Sequence, residues 1–373
     1  MSDSKQLRIH NYGAPVLAVC GFSGSGKTTL LEAAIPALVA RGWAVAVVKH
    51  DAHGFEVDQP GKDSERLFRA GATVALRGPQ EQFHRRAGEA MLALEPTLAL
   101  LGRDHDLLLV EGHKQTPLPK LWVGKQGEPA PPSFATEVLG FLPWDSNRLT
   151  ALLDFVDRWF PAAWRSRPLL AGLLVGGASS RMGRPKQLIE FGGSTLAENA
   201  VRALGAGVAP ERSEAEAVES AAQRVFLLGA GAVAESLAKL TRLPDPPGLA
   251  GPLAGLLAAH RWAPSAAWMV AACDHPTLAA EHVTWLREQR RPGVWAVFPR
   301  QADGQPCPTL ALYEPQSLEK LEALVVTEAR PPRMASLLES PRTVAPEVPR
   351  ELASGWQNVN TPQDLAATMP AEN

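Results

Sequence analysis

The sequence lacks any excess of basic residues: 37 lysines and arginines stand against 39 aspartates and glutamates, for a formal net charge of -2. Proteins that bind nucleic acid mainly through its phosphates carry a positive field, so we expect no nucleic acid partner. Any phosphorylated ligand must then be bound by groups concentrated at a local site.

Cysteine is scarce as well. The chain has three, Cys20, Cys273 and Cys307, which form no CxxC pair and are odd in number. This pattern argues against a disulfide framework or a structural zinc site and favours a reducing cytoplasm.

Long apolar runs and targeting signals are also missing. The longest apolar run, LLAGLLVGGA, falls well short of the ~18 residues that indicate a membrane span. The stretch MSDSKQLRIHNYG shows no basic segment followed by an apolar one, so we expect neither a signal peptide nor a membrane contact. With 45% hydrophobic and 20% charged residues, 373 residues fit two or three globular domains.

The first motif is GFSGSGKT at residues 21–28, which matches GxxxxGK[ST]. A short apolar run, PVLAVC, precedes it, and LLEAAIPALVARG follows with helical spacing, so the context is strand, loop and helix. Gly21 and Gly26 allow backbone N–H groups to turn towards phosphate oxygens, while Lys27 reaches the β and γ phosphates and Thr28 ligates Mg²⁺. Further alternating strands and helices predict a parallel-sheet domain of the P-loop NTPase type.

Two other features accompany this motif. Glu111 ends the apolar strand HDLLLVEG, where a carboxylate could lie near the metal or could be a solvated strand end. A polar stretch is either part of the site or a surface loop; it contains His50, His53, Asp58, Lys62 and Asp63.

A domain boundary is predicted after an amphipathic helix at residues 149–164, where RSRP at 165–168 forms a short polar connector. The predicted domains are residues 1–165 and 166–373, joined only by this connector. Residues 211–223, rich in Glu and Ala, are predicted to be a solvated insertion without chemistry.

The second motif, LLVGGASSRMGRPKQL at residues 173–188, opens another strand-loop-helix unit and predicts a Rossmann-like α/β domain. Its paired glycines, Arg181 and Lys186 suit nucleotidyl transfer, which needs an exposed α-phosphate and cations on the leaving pyrophosphate. Asp274 follows an apolar strand and could hold Mg²⁺ or cap a helix, whereas His275 is predicted to be a turn residue. Asp245 precedes a glycine-proline turn where a nucleotide could approach the backbone.

In the first half, PGKDS, RAGA and VEGHK follow the P-loop. Over about residues 14–165 the chain resembles MobB, the GTP-binding adaptor family of molybdenum cofactor dinucleotide synthesis. The resemblance implies GTP and Mg²⁺ at Gly24, Ser25, Gly26, Lys27 and Thr28.

Residues 169–368 contain GGASSRMGRPK, DPPGLAGPLAG, CDHP, CPTLALY and NVNTPQDL in the order found in the MobA family, the molybdenum cofactor guanylyltransferases, which they resemble. The resemblance implies Mg²⁺ at Asp274, with Lys186 and Arg181 on the leaving pyrophosphate, and places Asn358 and Asn360 near the pterin. It implies GTP at Leu174, Val175, Gly176, Gly177, Lys186 and Asp245.

Together the resemblances imply a fused MobB–MobA protein that joins GMP to molybdenum-molybdopterin, with cofactor insertion proteins and apo-molybdoenzymes as partners. Two alternatives remain open at this point. One is a cytidylyltransferase or a sugar-phosphate nucleotidyltransferase, which the NTP consumed distinguishes. The other is a non-catalytic cofactor-delivery adaptor, which would release no pyrophosphate.

Overall fold

A computed structural model describes residues 12–49, 58–85, 93–176, 182–209, 224–301, 303–328 and 330–368. The predicted insertion at 211–223 and the residues His50, His53, Gly177 and Arg181 lie outside these ranges.

The first half is built on a five-stranded parallel sheet of order β2-β5-β1-β6-β7. Its strands are β1 (Val16–Cys20), β2 (Val45–Lys49), β5 (Leu107–Glu111), β6 (Lys120–Val123) and β7 (Val138–Leu142). A separate antiparallel pair is formed by β3 (Val74–Arg77) and β4 (Gln82–Arg85). Because β1 lies at the centre of the sheet, all five of its residues are buried, as an apolar strand bounded by glycine predicts.

The helices of this half are α1 (Lys27–Ala40), α2 (Asp63–Arg69), α3 (Leu94–Leu101) and α4 (Arg148–Arg165). The helix predicted at residues 149–164 is therefore confirmed as α4, and the Asn147 side chain caps it by accepting from the Thr150 N–H. Every fourth residue of α4, from Leu152 to Trp164, is buried against the sheet and α1. Each such side chain contributes about 1.5–3 kcal/mol by burial.

The second half is built on a seven-stranded sheet of order β12-β11-β8-β13-β15-β14-β16. Its strands are β8 (Leu169–Leu174), β11 (Val225–Leu228), β12 (Arg242–Leu243), β13 (Ala267–Ala272), β14 (Ala296–Val297), β15 (Leu310–Tyr313) and β16 (Thr343–Val344), and β9 (Glu190–Phe191) pairs with β10 (Ser194–Thr195) outside it. Only β15 runs antiparallel to its neighbours. The α/β class is as predicted, but the sequence pattern did not predict this reversal.

Helices cover both faces of the second sheet. The described helices of this half are α5 (Leu196–Val208), α6 (Pro252–Trp262), α7 (Ala280–Glu288), α8 (Pro315–Thr327) and α9 (Pro362–Thr368). Helices α5 and α7 share one apolar core with the sheet, and α6 and α8 share the core on the opposite face. Across the described residues, no helix is both long and apolar enough to cross a membrane.

The expectation that the two halves are joined only by a polar connector is wrong. Arg167, in the middle of RSRP, is 4% exposed and donates hydrogen bonds to Gly13 in the first half and to Glu314 in the second. A charged side chain is buried in this way only when its donors are satisfied, so the connector is part of an interface. The placement of the boundary between residues 165 and 166 remains a prediction.

Candidate nucleotide sites

The P-loop lies between the end of β1 and the start of α1, at the carboxyl edge of the first sheet. Gly21 has φ +156°, and a Cβ there would lie 2.6 Å from Ser25 Oγ and would collide with the Val123 carbonyl. Gly26 caps α1 with φ +82°, and Gly24 has φ +76°. These positive φ angles favour glycine, which explains the spacing of the motif.

Lys27 turns back across the loop, where its Nζ donates to the Phe22 carbonyl over 2.9 Å. Burial lowers the pKa of Lys27, and the nearby Glu111 carboxylate partly opposes that shift. The ammonium group therefore lies at the loop where phosphate oxygens would be bound.

Thr28 and Glu111 meet beside the loop, with Thr28 Oγ1 donating to Glu111 Oε1 over 2.8 Å. Glu111 is 9% exposed, and Lys49 Nζ lies 3.9 Å from the same oxygen. Glu111 is therefore not a solvated strand end. A hydroxyl and a carboxylate are the oxygen ligands that Mg²⁺ prefers, so these two residues fit the predicted ion, although their role as metal ligands remains a prediction.

Arg148, at the start of α4, contacts the P-loop through its guanidinium group. Its guanidinium donates to the carbonyls of Ser25 over 2.9 Å and Pro143 over 2.8 Å, and also to Gly124. In a planar trans peptide the C=O and N–H point in opposite directions, so holding the Ser25 carbonyl outward turns the Gly26 N–H inward. Sequence reasoning missed Arg148, because its partners come from three separate loops.

The polar stretch before α2 is only partly described. Within it, Asp58 accepts from Ser64 over 3.0 Å and lies 3.6 Å from Arg85 on β4. Asp58 therefore anchors the β3-β4 pair, while the side chain of Asp63 is 95% exposed.

The second site is a cavity of about 720 Å³ at the carboxyl ends of β8, β11 and β13. Its volume is typical of small-molecule sites. Among its lining residues are six that were predicted to bind nucleotide or metal, namely Leu174, Val175, Gly176, Lys186, Asp245 and Asp274. Gly251 and Pro252 also line it, which places the positive amino end of α6 at the cavity, as an anionic ligand requires.

Lys186 is positioned by two oxygen atoms. Its Nζ donates to Asn360 Oδ1 over 2.9 Å and lies 3.4 Å from Asp274 Oδ2. Asn360 is itself fixed, because its N–H donates to Asp364 and the neighbouring Val359 N–H donates to the Asp274 carbonyl. Asn358, predicted with Asn360, is exposed and does not line the cavity.

Asp274 is not a helix N-cap, because it lies in a turn after β13 and α7 begins only at Ala280. Its Oδ1 is buried and accepts no hydrogen bond from the described residues, although His275 Nε2 lies 3.6 Å away. An orphaned carboxylate oxygen of this kind fits a cation. His275 is a turn residue, as predicted, and its carbonyl accepts from the Leu278 N–H.

The described residues contain no group of three or more His, Cys, Asp or Glu side chains that could enclose a metal. Mg²⁺ commonly uses one or two carboxylates together with substrate phosphates, and Asp274 is a carboxylate that could serve in this way. Cys273 also lines the cavity, and burial raises the pKa of its thiol to about 12, so it stays protonated and unreactive.

A P-loop on a parallel sheet and a glycine-rich cavity with a lysine and an aspartate define a nucleotide-binding domain joined to an α/β nucleotidyltransferase. Residues 16–141 match Molybdopterin guanine dinucleotide synthesis protein B, and residues 171–344 match the MobA-like NTP transferase domain. The chain belongs to the MobB family in its first half and to the MobA family in its second.

Individual relatives agree with this assignment. The first half is 36% identical to the molybdopterin-guanine dinucleotide biosynthesis adapter protein of Haemophilus influenzae over 40% of this chain and 91% of that protein. It is 35% identical to the molybdopterin-guanine dinucleotide biosynthesis adapter protein of Escherichia coli, over 39% of this chain and 93% of that protein. The second half is 30% identical to the probable molybdenum cofactor guanylyltransferase of Bacillus cereus strain Q1, over 52% of this chain and 91% of that protein.

Proposed function

We propose that the second half transfers GMP from GTP to molybdenum-molybdopterin. The terminal phosphate of the pterin attacks the α-phosphate of GTP, a new P–O–P bond forms, and the bond to the β-phosphate breaks with its electron pair leaving on pyrophosphate. The observation that carries this proposal is the contact of Lys186 with both Asp274 and Asn360 inside the cavity.

Each residue has a defined task in this reaction. Lys186 supports the charge that develops on the leaving pyrophosphate, together with Arg181. Gly176 and the amino end of α6 bind phosphate through backbone N–H groups. Bound at Asp274, Mg²⁺ would neutralise triphosphate charge, and Asn360 keeps the Lys186 ammonium aimed at the ligand. We propose direct transfer without a covalent enzyme intermediate.

In the first half, we propose that GTP binds the P-loop at residues 21–28, where Thr28 and Glu111 would hold Mg²⁺. This half then serves as an adaptor that acts with cofactor insertion proteins and apo-molybdoenzymes. We place both activities in the cytoplasm, which suits three buried, unpaired cysteines.

Guanine is the base that we propose, and the naming of the relatives as guanylyltransferases supports it. The test is incubation of the full chain with molybdenum-molybdopterin, Mg²⁺ and each NTP, followed by product mass and pyrophosphate release. We expect the guanine dinucleotide product with GTP. Product formed mainly with CTP would make this half a cytidylyltransferase, and absence of pyrophosphate with every NTP would make it a delivery module.

A further inference from the structure

The residues of the first half that face the second lie at the amino ends of its strands. Asp106 immediately precedes β5, Ala44 immediately precedes β2, and Gly13 lies three residues before β1. The P-loop follows the carboxyl end of β1 and therefore lies at the opposite edge of the same sheet.

In the second half, the interface residues lie at the end of the sheet where its parallel strands begin. Trp295 immediately precedes β14, Arg342 immediately precedes β16, and Arg167 lies two residues before β8. These three strands run in the same direction, so their amino ends lie at the same end of the sheet. Glu314 directly follows β15, whose antiparallel direction brings its carboxyl end to this same edge. The cavity again lies at the other end of the sheet.

A buried cluster of charges in the second half lies at the interface. Glu314 accepts from Arg290 Nε over 2.8 Å and from Arg167 Nη2 over 2.7 Å, while Arg167 also donates to the Gly13 carbonyl. The side chains of all three charged residues are at most 4% exposed. All three charged residues belong to the second half, so separating the halves would take from Arg167 its Gly13 acceptor and from Arg290 its Arg165 acceptor. A buried donor that loses its acceptor is destabilising.

Other polar contacts at the interface join the two halves directly. Asp106 accepts from the Ala44 N–H, Trp295 Nε1 and Arg342 Nη1, each over 2.7 Å. Gln316 Nε2 lies 2.8 Å, 3.1 Å and 3.0 Å from the carbonyls of Gly13, Gly102 and His105. Hydrogen bonds are directional, and these come from residues beside several strands in each half. They therefore favour one orientation of the two halves relative to each other.

We propose that these contacts form a permanent joint, the amino-edge joint, defined by Asp106, Arg167, Trp295, Glu314, Gln316 and Arg342. The joint holds the two nucleotide loops at opposite ends of the chain. A ligand released at one loop reaches the other loop of the same chain through solvent, and among the residues that the structure describes neither half supplies a side chain to the other's site. This inference holds whichever nucleotide each half binds.

The expected separation follows from the strands. Gly21 lies eight residues beyond Gly13, and Gly176 lies nine residues beyond Arg167. At about 3.3 Å per residue, each loop is about 25–30 Å from the joint, so the two loops are on the order of 40–60 Å apart.

The test is a distance measured by electron paramagnetic resonance between nitroxide labels on the full chain carrying Lys125→Cys and Ala230→Cys. Both positions are exposed and follow carboxyl strand ends, of β6 and β11, whereas the native cysteines are buried and label poorly. We expect one narrow distribution near ~40–60 Å, unchanged by GTP and Mg²⁺. A separation below about 30 Å, or a broad distribution, would overturn the proposal.

A joint variant gives an independent test in the same labelled chain. The double substitution Gln316→Ala and Arg342→Ala removes the side chains that donate to Gly13 and Asp106 of the first half. We expect the distance distribution between the labels to broaden. Arg261→Ala is the matched control, because it removes an exposed ion pair with Glu322 that lies outside the joint. A distribution that stays as narrow in the joint variant as in the control would show that these contacts do not fix the two halves.

Discussion

Lys186 Nζ lies 3.4 Å from Asp274 Oδ2, although 88 residues separate the two in the sequence. Strands β8 and β13 are neighbours, so the loops that follow them meet at one edge of the sheet. A cation and an anion held side by side in a cavity provide the two charges that a triphosphate and its metal ion require.

Asp274→Asn should reduce guanylyl transfer by about 100-fold or more, because the amide keeps the volume but removes the charge proposed to bind Mg²⁺. Pyrophosphate release at saturating GTP measures the effect. Asp303→Asn, an exposed substitution of the same kind, is the control and should have no effect. Activity of Asp274→Asn equal to this control at the same Mg²⁺ concentration would remove Asp274 from the metal site.

Arg148→Ala should weaken GTP binding by the first half about tenfold or more. The substitution releases the Ser25 carbonyl, and charged hydrogen bonds contribute about 1.5–3 kcal/mol. Calorimetric titration of the full chain with GTP, compared with the unchanged chain, measures this loss, because the second-half site is the same in both proteins. Arg158→Ala, which removes an exposed arginine from the same helix, should bind GTP normally. Equal affinities of the two variants would mean that the arginine does not shape the loop.

Gly21→Ala should abolish nucleotide binding by the first half, since the new Cβ would meet Ser25 Oγ at a backbone angle that costs alanine more than about 1 kcal/mol. Calorimetric titration with GTP measures the binding affinity of this variant. Gly78→Ala is the matched control, because its Cβ would make only ordinary contacts. Retained GTP affinity in Gly21→Ala would contradict the described loop geometry.

The two loop motifs and the meeting of Lys186 with Asp274 could be predicted, because they depend on local spacing and on parallel strands ending at one edge. The reversal of β15 could not be predicted, since apolar alternation does not encode strand direction. Arg148 and Asp106 were missed for a related reason. Their partners lie up to 123 and 236 residues away and come together only after the order of the strands is known.

A fragment of residues 166–373 should retain transferase activity, because the whole cavity lies within it. Its melting temperature should nevertheless be lower than that of the second half in the full chain, by about 5 °C or more, since Trp295, Arg342 and Gln316 lose their partners. Differential scanning calorimetry compares the two proteins. Equal melting temperatures would mean that the amino-edge joint contributes no stability.

The most direct test of the central claim, that transfer belongs to the second half alone, compares Lys27→Ala, Lys186→Ala and the unchanged chain in one guanylyl transfer assay. Lys239→Ala, an exposed lysine of the second half, serves as the control. We expect Lys186→Ala to lower kcat by a factor corresponding to about 2–4 kcal/mol, and Lys27→Ala to leave kcat within about threefold while abolishing GTP binding by the first half. A loss of kcat in Lys27→Ala as large as that in Lys186→Ala would contradict the account.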